Sequence, residues 1–322
     1  MGSLSLLLAF LTDRILGDPR QLPHPVVGMG WMISRMEQVL RPRAEKWSHK
    51  GWVRLLGCLL PLIVVGSVYL ISTLLLVGVE AVSRWGAFLL EIWLISTTIA
   101  TRGLADAALS IFRWLREGDL MQARKELSMV VGRDTEQLDQ PEVVRGTVET
   151  VAENIVDAVT SPLFFAALGG APLALAYRAV NTLDSMVGYR DDRYLHLGWA
   201  SARLDDLANW IPARLTVPIM LLAFGWTGYK PGRGWRICRR DAAKHPSPNS
   251  GIAESLMAGG LGIQLGGVNR YRGQISRRAL LGDPLVEKQA EHIEASVRVL
   301  LVTGWLAALL AAATGYVLNG LY

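Results

Sequence analysis

Two cysteines in 322 residues are too few and too far apart for a disulfide framework or a metal knuckle, Cys58 lying in an apolar run and Cys238 in a basic loop. Charge is scarce as well. Asp, Glu, Lys and Arg make up 19% of the chain against 51% hydrophobic residues, and the mean hydropathy is +0.28, a balance that soluble domains of this length seldom have. There is no Walker-type phosphate loop, no G-x-G-x-x-G after a strand, no internal repeat and no low-complexity tract. Nucleic acid is not expected as a partner despite the net charge of +5, because Lys and Arg flank apolar segments and membrane topology accounts for them. Leu4 to Leu11 lacks a basic n-region and leads into TDRILGDPRQLPHPVVGMG instead of a small-residue cleavage site, so it is not expected to be a signal peptide.

What is present is the pattern of a polytopic membrane protein. Leu55 to Val79 runs 25 residues without a charge, long enough to cross a hydrocarbon core of about 30 Å with some tilt. Further apolar segments at 3–16, 86–100, 160–178, 211–228 and 299–319 complete a single integral membrane domain, 1–322. The intervening stretches 17–54, 101–145 and 229–298 are rich in Lys and Arg and are expected on the cytoplasmic side. Thr101 to Gln140 reads as a helical hairpin followed by a solvated connection. Ser161 to Ala176 is interrupted by Pro162, Gly169, Gly170 and Pro172, which suits a broken or re-entrant element lining a cavity. The expected fold class is therefore all-α: a polytopic integral membrane helical protein with broken or re-entrant helices and cytoplasmic helical loops. Asp13 to Gly30, with three prolines, reads as a helix end and a rigid loop that fixes His24 between Pro23 and Pro25.

The chain is organised around Pro141 to Trp210. Counted at 100° per residue from Glu142, Glu149, Glu153 and Asp157 fall at about −20°, 20° and 60°, opposite Val144, Val148, Val151, Ile155 and Val159. Like charges at i, i+4, i+8 cost an isolated helix roughly 0.2–0.5 kcal/mol per pair, and no Lys or Arg sits among them. A cation should answer them. Asn154, Arg178, Asn181 and Asp184 add oxygen and guanidinium groups further on, as do Asp205, Asp206 and Asn209, and Asp, Glu and Asn oxygens are the ligands Mg²⁺ accepts. Glu149, Glu153, Asp157 and Asp184 are accordingly the expected magnesium ligands.

A second stretch, RRDAAKHPSPNSGIAESLMAGGLGIQLGG, points to an anion. Pro246 and Pro248 hold the chain extended, Ser247, Asn249 and Ser250 offer N-cap chemistry, and Gly251 opens a helix, so free N–H groups coincide with Lys244 and His245. Lys244, Ser247, Asn249, Ser250 and Gly251, with Asn154, Asn181, Arg178 and His24, are the expected substrate or phosphate contacts. Glu153, Asp184 and His245 are the candidates for proton transfer.

Four motifs, DRILGDPRQLPHPVVGMG, VETVAENIVDAVTSPLFF, NTLDSMVGYRDDRY and KHPSPNSGIAESLMAGGLGIQLGG, occur in an order that resembles the cobinamide-phosphate synthase family of cobalamin assembly (CbiB, also called CobD) over most of the chain. The resemblance implies an enzyme of the bacterial or archaeal cytoplasmic (inner) membrane that joins aminopropanol phosphate or ethanolamine phosphate to a propionate carboxylate of adenosylcobyric acid. ATP is consumed and the product is adenosylcobinamide phosphate. The expected cofactor is Mg²⁺, with ATP and the corrinoid as substrates. The lipid bilayer and either a second copy of the chain or other cobalamin-assembly membrane enzymes are the expected partners. The resemblance assigns no residue roles. Trp199, Trp210, Tyr189 and Tyr194 are candidates for packing on the corrin. Two other classes, a Mg-dependent intramembrane prenyl or phosphatidyl transferase and a membrane transporter, also use acids within apolar helices, but the repeated DxxxD and DGxxAR signatures of the former are not in this chain.

Overall fold

The apolar runs fold as helices, and the breaks in them fall where the sequence withdraws a backbone donor or a Cβ. The computed structural model describes residues 2–17, 24–45, 49–189, 191–271 and 273–319. In chain order its elements are α1 (Gly2–Leu16), α2 (Pro25–Glu45), α3 (Lys50–Gly57), α4 (Leu59–Val82), α5 (Arg84–Ser96), α6 (Thr101–Arg116), α7 (Leu120–Ser128) and α8 (Gln140–Ile155). They are followed by α9 (Ser161–Val187), α10 (Trp199–Ala208), α11 (Trp210–Trp226), α12 (Pro231–Asp241), α13 (Ser250–Leu261), β1 (Leu265–Tyr271), β2 (Gln274–Leu281) and α14 (Glu291–Asn319). Among the described residues four helical stretches are long and apolar enough to cross a membrane, Lys50–Val82, Arg84–Arg116, Gln140–Val187 and Glu291–Val317, or five if the pair broken near Asn209 counts as one. This is an all-α polytopic membrane protein. α1, at 15 residues, is shorter than the roughly 20 that a helical span needs.

One compact unit comprises Met1–Ala100, Ser161–Asn209 and Ala308–Tyr322. Here α4 packs on α5 and α9, and α1 packs on α5. The outer face of α4 leaves Leu62, Leu70, Ile71, Leu74 and Val77 exposed, the surface of a helix whose solvent is lipid. α9 is broken at Gly169 and Gly170, as the sequence leads one to expect. Gly170 has φ 62°, a conformation that favours glycine, and a Cβ there would come within 2.8 Å of the Glu91 carboxylate. Glu91 thus faces the helix break. Of Asp13 to Gly30, expected as a helix end followed by a rigid loop, the helix end is present, since α1 runs to Leu16, but helix resumes at Pro25 where loop was expected. α2 starts at Pro25, whose fixed φ suits the first turn, and His24 caps it through Nδ1, which accepts from the Val26 N–H at 3.3 Å. Pro19 and Pro23 lie outside the described residues.

The other unit comprises Thr101–Thr160 and Trp210–Ala307. α6 and α7 form a helical hairpin against α8. α8 begins as its sequence dictates, with Asp139 Oδ1 accepting from the Glu142 N–H at 2.9 Å and Pro141 in the first turn. Its apolar stripe, Val144, Val148, Val151 and Ile155, is wholly buried. At Val156–Thr160 the helix widens into a π turn. The physical cause is Pro162, which has no N–H for the carbonyl four residues back and whose ring crowds it. Arg233 of α12 donates to the carbonyls of Gly259 and Gly260 at the end of α13.

The stretch 229–298 is not only helical loop. β1 and β2 form an antiparallel hairpin, paired from Leu265 with Leu281 to Tyr271 with Gln274 and bulged between Leu265 and Gly267. The connection before α8, expected to be solvated, is docked on this hairpin: Asp134 N–H donates to Arg270 C=O, and Gly273 N–H donates to Asp134 Oδ2, both at 2.8 Å.

A second tie holds the hairpin from its far end. Asp241, fully buried, accepts from Arg240 Nε and Nη2 (2.8 and 2.7 Å), Lys244 Nζ (2.6 Å) and Gly282 N–H (2.8 Å). The hydrogen bond from Arg240 is the main reason its carboxyl stays ionised far below the usual carboxylate range. Because the folded pKa is depressed, the stabilisation is complete above the unfolded value of about 4 and is lost only as pH falls through the lower folded value. Asp241→Asn is expected to lower unfolding stability by about 2–3 kcal/mol at neutral pH. Thermal unfolding in detergent should show this gap to the wild type at pH 7, and the gap should close only in strong acid.

Candidate active site

The acidic stripe is answered by protein cations at its first member. Glu149 is buried, and both its oxygens are taken: Oε2 accepts from Arg133 Nη2 at 2.5 Å, and Oε1 accepts from Arg145 Nη1 at 3.0 Å and from the Gly266 N–H at 2.8 Å. Arg145, itself buried, also donates to Glu142 and, with Arg133, to Asn269 Oδ1 at 2.9 Å. The cations lie outside the acidic stripe: Arg145 is one turn before Glu149 and Arg133 comes from the preceding loop. Three of the four lone-pair sites of Glu149 are thus held by protein donors, two of them cationic. This carboxylate pins α8 to the hairpin.

One turn along α8 the environment changes. Glu153 is half-buried, and its Oε1 accepts from Ser250 Oγ at 3.3 Å, at the first turn of α13. Asn154 Nδ2 donates back to Thr150 C=O at 2.9 Å. Asp157 lies in the π turn, so the 100° step that places it on the stripe does not hold there. Among the described residues no group of three or more His, Cys, Asp or Glu side chains is arranged to hold a metal ion. The donor set is one that completes its shell with ligand oxygens: Mg²⁺ bound to a nucleotide takes one or two carboxylates plus phosphate and water. Glu153 fits that role and Glu149 does not.

The Lys244 to Gly251 turn is built tightly against α13. A Cβ at Gly251 would meet Ala242 C=O and lie 2.5 Å from His245 Cβ, so only glycine lets the turn close. Ser247 Oγ accepts the N–H groups of Asn249 and Ser250, both at 3.3 Å, and so supplies the cap. Asn249 sits at the N-cap without capping, its Oδ1 instead accepting from Arg214 Nη1 at 2.8 Å. Lys244 is committed to Asp241. Of the expected anion cradle, Ser247, Ser250 and Gly251 shape the helix start, and the two residues with the strongest electrostatic case, Lys244 and Asn249, point elsewhere.

His245 faces inward. Its Nδ1 accepts from the Ser247 N–H at 3.0 Å, and its Nε2 stands 3.5 Å from Glu254 Oε1. Burial, with Arg278 nearby, holds the imidazole below its ordinary pKa and hence neutral. Burial, reinforced by Glu153 and Glu149, pushes the Glu254 carboxyl well above the usual carboxylate range. Glu254 was not anticipated from sequence: a single acid between Ala253 and Ser255 in an apolar helix carries no spacing signal, and only the helical repeat from Ser250 to Glu254 hints at a shared face.

Asp184, Asn181, Arg178 and His24 belong to the other unit. There Arg178 Nη1 donates to Asn181 Oδ1 at 3.3 Å. Asp205 Oδ2 accepts from Asn209 Nδ2 at 3.0 Å, and Asn209 Oδ1 accepts from Ser161 and Tyr177. Asp184 is close enough to Asp205 to act on it electrostatically. Of the aromatic candidates, Trp199, Trp210 and Tyr189 are exposed, and Tyr194 is buried with its hydroxyl donating to Glu37 Oε1 at 3.0 Å.

The two neighbouring acids of α8 should separate cleanly on mutation. Glu149→Gln strands two buried guanidinium groups, and such a loss costs about 3–5 kcal/mol, so this variant should unfold well below the wild-type temperature. Glu153→Gln should keep the wild-type unfolding temperature within a few degrees and lose turnover. Calorimetry in detergent together with an activity assay reads both effects, and equal stability of the two variants would contradict the assignment.

Comparison with known proteins gives a consistent result. A family model described as CobD/Cbib protein matches residues 6–300. A protein of Geobacter metallireducens named cobalamin biosynthesis protein CobD is 47% identical over 318 residues, covering 95% of this chain and 94% of its own. Its namesake in Halalkalibacterium halodurans is 45% identical, covering 92% and 91%. Cobalamin biosynthesis protein CbiB of Salmonella paratyphi B is 42% identical, covering 99% of each chain. No solved structure matches the chain. With a family model over nearly its whole length and relatives well above 30% identity along both chains, the protein belongs to the CobD/CbiB family.

Proposed function

We propose that this protein, in cobalamin biosynthesis at the cytoplasmic (inner) membrane, joins aminopropanol phosphate or ethanolamine phosphate through its amine to a propionate carboxylate of adenosylcobyric acid. ATP is consumed and adenosylcobinamide phosphate is the product. Family membership supports the pathway. The observation that carries the chemistry is the polar site at the start of α13, where Glu153, Ser250 and His245 converge while the adjacent Glu149 is fully neutralised.

A carboxylate does not condense with an amine in water until one of its oxygens becomes a leaving group. Phosphoryl transfer from ATP accomplishes that, and Mg²⁺, when bound with the nucleotide, neutralises and aligns its phosphates. Glu153 would hold the metal, with nucleotide phosphate and water completing its shell. Ser250 Oγ, hydrogen-bonded to Glu153, orients that carboxylate. The neutral imidazole of His245 is available for the proton that the amine gives up.

Purified protein in lipid nanodiscs with ATP, Mg²⁺, aminopropanol phosphate and cobyric acid is expected to yield a corrinoid heavier by the condensed amino alcohol phosphate, read by mass spectrometry. Omitting ATP should abolish the product. Product formation without nucleotide would contradict the proposal, as would failure with both amino alcohol phosphates.

A further inference from the structure

Glu254 is almost wholly buried beside the site, its side chain 1% exposed, and the proposed reaction leaves it without a role. It lies one helical turn beyond Ser250 on the same face of α13, so it stands behind the Glu153–Ser250 contact. Its Oε1 and the Nε2 of His245 are both buried and have no hydrogen-bond partner, and they face each other across 3.5 Å. That separation is just beyond a normal N–H···O length. Catalytic hydrogen bonds are often this long before substrate arrives and tighten when it binds. The far side of the ring is held for either tautomer: Nδ1 has the Ser247 N–H at 3.0 Å and the Ser247 carbonyl at 3.3 Å, so it is served whether it accepts or donates.

We propose that His245 and Glu254 form one proton-holding pair, with a proton shared between Nε2 and Oε1, and that this pair takes a proton from the amine as the amide bond forms. The inference rests on the amide-ligase reading and deepens it. As the C–N bond forms and the bond from the acyl carbon to the phosphate oxygen breaks, the ammonium nitrogen must lose two protons. One leaves with the released phosphate. With the ring's own proton on Nδ1, donated to the Ser247 carbonyl, Nε2 is free to receive: the other proton goes to Glu254 as Glu254 hands its own to Nε2, which leaves an imidazolium beside a neutral acid. The charged and titratable groups facing the ring accommodate that change: Glu149 and Glu153 from α8 favour the imidazolium, and Arg278 from β2 opposes it. Lys244, on the same turn, is engaged by Asp241. Burial raises the pKa of the Glu254 carboxyl and so favours its protonated form, in keeping with a pair that starts with one proton and ends with two.

The test compares wild type, Glu254→Gln, Glu254→Asp and His245→Gln in nanodiscs, by single-turnover amide formation from about pH 6 to about pH 9 and by infrared spectroscopy of the resting protein. Gln preserves the size and neutrality of Glu254, so that variant should fold. Both Gln variants are expected to lose about a hundredfold at neutral pH, to keep the KM for ATP, and to recover as rising pH supplies free amine. Glu254→Asp should regain part of the rate. The wild-type spectrum should contain a protonated-carboxyl band that Glu254→Gln removes and His245→Gln shifts. A Glu254→Gln variant with the wild-type rate and pH profile would overturn the proposal, as would one whose loss is the same at every pH. If wild type forms no amide from these substrates, the functional reading fails separately. The infrared comparison still decides the pair, because a carboxyl band indifferent to His245→Gln would overturn the shared proton.

Discussion

The buried ion cluster on α8 is the interaction on which the Thr101–Thr160 and Trp210–Ala307 unit depends. Two guanidinium groups and one carboxylate are removed from water together, and each would be costly if stranded. Glu149 meets that demand by binding Arg133, Arg145 and the bulged Gly266 N–H at once. Asn269 then ties both arginines to β1. This makes the hairpin part of the fold although it is only two strands and could not stand alone in water. It also fixes the height of α8, and so places Glu153 at the first turn of α13.

The neighbouring acids have divided their work. Glu149 is saturated by cations, Glu153 keeps a single neutral donor, and Glu254 is so deeply buried that its neutral form is favoured. Three carboxyl groups near one another can coexist only because their environments differ in this way, and such divergence is what acid and base chemistry at neutral pH requires. The tight turn from Lys244 to Gly251 brings His245 into the same region. Its lysine serves Asp241 and the hairpin, so the turn is held by its charge, not opened by it.

Much of the fold could be read from the sequence, because apolar length and Gly or Pro punctuation are local signals. The uncharged run of α4 and the break of α9 at Gly169–Gly170 are cases in point. The hairpin could not, since its Gly-rich, arginine-bearing strands have little β character of their own and are ordered by contacts with α8 and the loop at Asp134. Glu153 and Ser250, singled out by residue type and position, meet in the fold. Of the two cations on Glu149, Arg145 stands four residues back on the same helix face and is a local signal, whereas Arg133 reaches it only through tertiary packing that periodicity does not encode. The stripe itself fails at Asp157, where Pro162 forces a π turn that the 100° step ignores.

The account turns on activation of the corrinoid carboxylate by phosphoryl transfer, and one isotope experiment addresses that directly. Cobyric acid labelled with ¹⁸O in its free propionate carboxylate, incubated with ATP, Mg²⁺ and the amino alcohol phosphate, must lose one carboxylate oxygen per amide formed. The account predicts that this oxygen appears in inorganic phosphate released from the nucleotide's terminal phosphoryl group, with ADP as the other product. Label lost to water, or amide formed with no label in any phosphate, would contradict it.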